Sequence, residues 1–143
     1  MEVALTGTVH RLRDKAADSE KITINLGYID LGHIDLLVQE GFYSNRTDLI
    51  RTAIRNQIAT HADVVKKSIL RHTLELGMRF YSRADLEAIR DSGSKLNIQV
   101  IGLVTIAADV APELAQAAIE SITVLGALQA SDPVKAALAD RIH

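Results

Sequence analysis

Lys21-Ile22-Thr23-Ile24-Asn25-Leu26 alternates polar and apolar residues with a period of two, and this stretch, read with the turn and helices after it, decides the fold. The alternation is that of a half-buried strand, with Ile22, Ile24 and Leu26 on one face and Lys21, Thr23 and Asn25 on the other. Gly27 ends it. Asp30 is placed to cap a first helix, along which Leu31, Ile34, Leu37 and Val38 form a single apolar stripe. Gly41 stands where a left-handed C-cap residue is wanted. After the turn Gly41-Phe42-Tyr43-Ser44-Asn45-Arg46-Thr47, Ser44 or Asn45 caps a second helix, and Asp48 suits the positive end of its first turn. Leu49, Ile50, Ala53, Ile54 and Ile58 give this helix its apolar face. Val65 and Ile69 continue the stripe, so one helix is expected to run on toward Leu70.

A six-residue strand and two short helices cannot bury their own apolar faces. Two copies can: the strands pair as an antiparallel ribbon and four helices cover one side of it. Lys21, Thr23 and Asn25 then face outward in duplicate. A two-stranded ribbon fits the major groove, where Lys matches guanine, Asn matches adenine, and Thr offers a hydroxyl and a methyl. The start of the second helix presents unpaired N–H groups and partial positive charge, which suit a phosphate. Asn45, Arg46 and Thr47 add side-chain donors there, fixing register without reading sequence.

The strand Lys21 to Leu26 resembles the reading strand of ribbon-helix-helix regulators, the CopG/Arc/MetJ class. Ile34-Asp35, Leu37-Val38, Gly41, Tyr43, Asn45-Arg46-Thr47-Asp48, Ile50-Arg51 and Ala53-Ile54-Arg55 are similar to the helical core of CopG-like repressors, nickel-responsive regulators and ParD-type antitoxins. The resemblance covers roughly residues 20–60. It implies that Lys21, Thr23 and Asn25 read bases and that Asn45, Arg46 and Thr47 anchor phosphate. Gly27 departs from it, standing where many members carry Pro. Arg51 and Arg55 read equally well as helix-solubilising residues.

The remainder of the 143-residue chain is apolar enough for a real core, at 48% hydrophobic residues. Aromatics make up only 3%, so that core is aliphatic. There is no Cys, which excludes disulfides and cysteine-bound metals and fits a reducing, cytoplasmic location. The net charge of -2 does not advertise a nucleic-acid binder. Its distribution is more telling: residues 1–71 hold ten Lys/Arg against nine Asp/Glu, and residues 72–143 hold six against nine. No apolar run spans a bilayer, and Arg11, Arg13, Asp14 and Lys15 interrupt any leader-like segment. Residues 1–19 lack a period and read as a flexible arm.

In the second half, strands are expected over Thr73 to Tyr81, Leu96 to Ile106 and Ser121 to Ala130. Helices are expected over Ala84 to Arg90, from Pro112 to Glu120, and from Pro133 to Ile142. Ile98-x-Val100-x-Gly102-Leu103-Val104-x-Ile106 returns 24 positions later as Ile122-x-Val124-x-Gly126-Ala127-Leu128-x-Ala130. Two strand-helix units in succession favour parallel strands with crossover helices, or a short solenoid. A glycine in mid-strand implies a bulge or a close backbone approach.

The expected fold is therefore α+β. A dimeric β-α-α ribbon-helix-helix domain (20–71) precedes a small α/β module (72–143) with two strand-helix repeats. No Ser elbow, phosphate loop or dinucleotide loop points to an enzyme. His61, Asp63 and His72 are too scattered for a metal site, and no cofactor is implied. The expected partners are double-stranded DNA, a second copy or a higher homo-oligomer, and a protein or small effector at the second half, with no membrane. The expected function is a DNA-binding transcriptional regulator acting as a repressor. Two rivals are an autoregulating antitoxin and an assembly protein built by stacking of the repeat.

Overall fold

The computed structural model describes residues 19–143. Most of the expected flexible arm, 1–18, lies outside the described residues. The chain divides into a unit ending at Ala62 and a second unit, Asp63–His143.

In the first unit, helix α1 spans Tyr28–Gln39 and α2 spans Arg46–Thr60. The expected strand is absent: residues 19–27 form no ladder, and Ile22 and Ile24 are 74% and 60% exposed. The physical reason is that a strand exists only against a partner strand, and the described part of this unit offers none. Helix α1 begins earlier than expected. Gly27 is its N-cap, and Asp30 sits in the first turn rather than capping. Its end follows the sequence closely. Gly41 takes φ 86°, the Gly41 N–H donates to Val38 O and the Phe42 N–H to Leu37 O, which together make a Schellman motif. Leu31, Ile34 and Val38 of the expected stripe are the half-buried positions of α1, and its fourth member, Leu37, is exposed.

The expected long second helix is broken. Helix α2 stops at Thr60, and α3 starts afresh as Ala62–His72 after His61 leaves helical geometry (φ -102°, ψ 19°). The apolar stripe is continuous across this point, but period alone does not report a local break. Helix α3 ends at His72, and the next residue, β-branched Thr73, takes φ 54°.

The second unit alternates strands and helices: β1 (Glu75–Tyr81), α4 (Arg83–Asp91), β2 (Leu96–Ile106), α5 (Pro112–Ala118), β3 (Ile119–Gln129) and α6 (Asp132–Ala137). The strands are parallel in the order β1-β2-β3. Ser82 and Asp85 close a capping box on α4, and Ser131 caps α6. The core lies between one face of the sheet and the helices. It joins Ile98, Val100, Val104, Ile106 and Ile122 of the strands with Leu86, Leu114, Ala118, Val134 and Leu138. The tail closes over β3. Ile142 bridges Ile122, and Arg141 Nη1 donates to Gln116 O and Ile119 O, each at 2.7 Å.

The repeat has three copies where the sequence shows two. Gly77, Gly102 and Gly126 stand in one row across the sheet at φ 138°, 137° and 125°. The first copy is hidden because Glu75 and Arg79 occupy the positions of Val100 and Val104. On an edge strand those positions are not enclosed, and the two side chains form an ion pair (3.3 Å). The row marks a close backbone approach. A Cβ on Gly102 would lie 2.0 Å from Gly77 O, and one on Gly126 would lie 2.0 Å from Gly102 O. The bulge is elsewhere: the β2–β3 register shifts between Leu96 and Asn97, pairing them with Ile119 and Ser121.

Candidate nucleic-acid interface

The proposed reading head precedes α1. Lys21, Thr23 and Asn25 are all exposed, within a segment that has no strand partner in the single chain. Their spacing by two places them on one side only once a ladder forms.

The proposed phosphate anchor is a built helix start. Asn45 Oδ1 accepts from the Asp48 N–H (2.8 Å), making Asn45 the N-cap, while Asp48 Oδ2 accepts from the Ser44 N–H (2.9 Å). Among the described hydrogen bonds, the N–H groups of Arg46 and Thr47, at the first two helical positions, have no acceptor. These are the orphan donors of a helix start.

Arg46 itself is engaged. Its Nε donates to Asp35 Oδ1 (2.7 Å) and its Nη2 to Asp35 Oδ2 (2.8 Å), a bidentate fork from α2 back to α1. The hydrogen bond from Arg46 holds the Asp35 carboxyl below the usual carboxylate range, aided by the charge of Arg46 and opposed by desolvation. The same bond raises the Arg46 guanidinium above its ordinary value. The fork joins residues eleven apart across a turn, a separation that no helical or strand period reports, and Asp35 carries no signal of this role in the sequence. With Asp35 and Asp48 at this end against one guanidinium, net charge does not favour an anion. The main-chain donors do.

Arg51 and Arg55 are exposed on α2 and form no ion pair among the described residues. That leaves two further cations on the helix that carries the anchor. No group of three or more His, Asp or Glu able to hold a metal occurs among the described residues, and no helix there is long and apolar enough to cross a membrane.

The model of the Ribbon-Helix-Helix transcriptional regulator family matches residues 17–135. The chain belongs to this family. The match runs from ahead of the ribbon segment into α6, so the second unit, which carries no separate family signature in the sequence, is part of what defines this ribbon-helix-helix regulator. Membership implies DNA binding and usually oligomers, and the family is typically non-enzymatic. No curated protein and no solved structure matches the chain.

Proposed function

We propose that this ribbon-helix-helix regulator is a sequence-specific repressor that acts as a homodimer. In this reading Lys21 to Leu26 of two copies pair as an antiparallel ribbon in the major groove. Lys21, Thr23 and Asn25 read base edges, each good contact being worth about 1–3 kcal/mol of discrimination. The Arg46 and Thr47 N–H groups, the Thr47 side chain and the Asn45 cap clasp a backbone phosphate. Arg46 has a second role, tying α2 to α1 through Asp35 so that the anchor stays in register with the ribbon.

One observation carries this reading: the segment with strand-like alternation has no ladder partner, while the two helices after it are fixed by a Schellman turn, an Asn45 cap and a bidentate ion pair. The unit is built except for the part that a second copy supplies. The ordered core of Asp63–His143 speaks against the antitoxin rival, whose tail would be polar and would fold on its toxin.

The test is selection from random duplex DNA with sequencing, using the full chain and Asn25→Ala. The expected result is an enriched palindromic or tandem motif, altered or lost in Asn25→Ala. No enriched motif at low salt, with both proteins alike, would overturn the reading.

A further inference from the structure

We propose that the open face of the three-stranded sheet is an interface with the same face of a second copy of this chain. Helices α4, α5 and α6 supply the core on one side of the sheet. On the other side Leu76, Met78 and Phe80 are 74%, 66% and 62% exposed, beside Ile101, Leu103 and Leu125. Parallel sheets are normally covered on both faces, because their strands are apolar on both. Here the upper part of the face is apolar and uncovered. The lower part is polar: Ser121 Oγ donates to Asn97 Oδ1 at 2.8 Å, and Gln99 and Thr123 line a cavity with Ser68 and His72 of α3.

The occupant follows from charge. Beyond the register shift at Leu96/Asn97, no residue that β1, β2 or β3 turns to this side is Asp, Glu, Lys or Arg; the one exposed carboxylate of β3, Glu120, sits without a register partner at the shift itself, at the lower end. A nucleic acid or a charged peptide finds no complement there, whereas a neutral apolar face is its own complement, as a two-fold interface demands. A second copy is also at hand if the ribbon pairs two chains, since the described part of the first unit buries no side chain alone. The inference rests on the homodimer reading for the supply of the copy, not for the chemistry of the face.

The alternative, end-to-end stacking of sheets, meets ends that are partly occupied. The Glu75–Arg79 ion pair occupies the helix side of β1, the polar finish of a terminal repeat, and Ile142 takes ladder positions beside β3. Face-to-face pairing is two-fold, so this contact by itself closes on one partner.

The full chain contains no Cys, so single cysteines report cleanly. Met78→Cys, Phe80→Cys and Leu103→Cys place thiols on the open face, and Ala88→Cys places one on the exposed side of α4. The expected result is labelling by a maleimide at least tenfold slower on the open face than at Ala88→Cys. Mild oxidation should give covalent dimers from open-face variants only. Adding Leu103→Glu to Met78→Cys should restore fast labelling and abolish the covalent dimer, with the thermal unfolding transition retained. Equal labelling rates without cross-linking would overturn the proposal by leaving the face bare. Slow labelling without cross-linking at any of the three positions would overturn it too, by placing a segment of the same chain there. The readouts do not involve DNA, so failure here is separable from failure of the DNA-binding reading.

Discussion

The two units solve the burial problem in opposite ways. Among the described residues, every fully buried side chain lies between Tyr81 and Leu138, within the strand-helix repeat. The first unit shows none there; its order comes from directional devices, namely a Schellman turn, a side-chain cap and an ion pair. One unit closes a core of its own, while the other, among the described residues, closes none. Local hydrogen bonds can fix the shape of a helical pair, but an apolar stripe stays exposed until something covers it.

The largest effect expected from breaking this contrast lies in the glycine row. Gly102→Ala or Gly126→Ala drives a Cβ into a strand carbonyl 2.0 Å away, where neither backbone can yield without breaking the ladder. Chemical denaturation should show a loss of about 3 kcal/mol or more. Gly77→Ala meets nothing within 4 Å and should lose less, on the order of 1–3 kcal/mol for its backbone conformation alone. Equal losses at Gly77 and Gly102 would show that the row is not a close-packed contact.

Next come the first unit and its proposed ribbon. Ile24→Asp puts a charge where the ribbon should bury an apolar side chain. Losing roughly 1.5–3 kcal/mol per copy weakens the dimer by about 100-fold or more. Sedimentation should record this while the melting of the repeat unit stays within about 0.5 kcal/mol, because Ile24 shares no partner with the core of the repeat. A repeat unit that melts in step with dimer loss would mean the units are not independent.

Caps offer a matched comparison. Asn45→Ala in the first unit and Ser82→Ala in the second each remove an N-cap, at a cost of about 1 kcal/mol apiece. Asn45→Ala should also weaken DNA binding in electrophoretic titrations, and Ser82→Ala should not. Parallel effects on DNA would remove the anchor from the start of α2.

The smallest effect is electrostatic. Asp35 is held below its ordinary pKa in the folded chain. Its contribution is therefore complete above the unfolded carboxylate value of about 3.9 and is lost as pH falls through its lower folded value. Stability of the first unit should be flat through neutral pH and decline only in acid, and Asp35→Asn should remove part of that decline. Because Asp35→Asn also weakens the fork that keeps the anchor in register, DNA affinity in electrophoretic titrations should fall slightly.

Much of the fold was legible in residue order. The alternation of Leu96 to Ile106, Pro112 at a helix start and Gly41 at a helix end each matched their elements, because period two, proline φ and left-handed glycine are local constraints. The Lys21–Leu26 alternation was legible as a pattern, but the described chain offers it no ladder partner. The break at His61 and the third repeat copy were not legible. The first leaves the apolar period intact, and the second substitutes Glu75 and Arg79 where edge position lifts the demand for apolar residues. The anchor was partly legible: Asn45 and Asp48 sit at cap spacing, whereas the Asp35–Arg46 fork depends on how the turn folds back.

By itself the sequence determined the family and the alternation of strands and helices in the second unit, since both follow from local pattern and spacing, and it favoured parallel strands without excluding a solenoid. Only the tertiary structure decided that three glycines meet in one row, that Arg46 is held by Asp35, and that one face of the sheet is left apolar and open. Those are contacts between residues far apart in the chain, which no window along it contains.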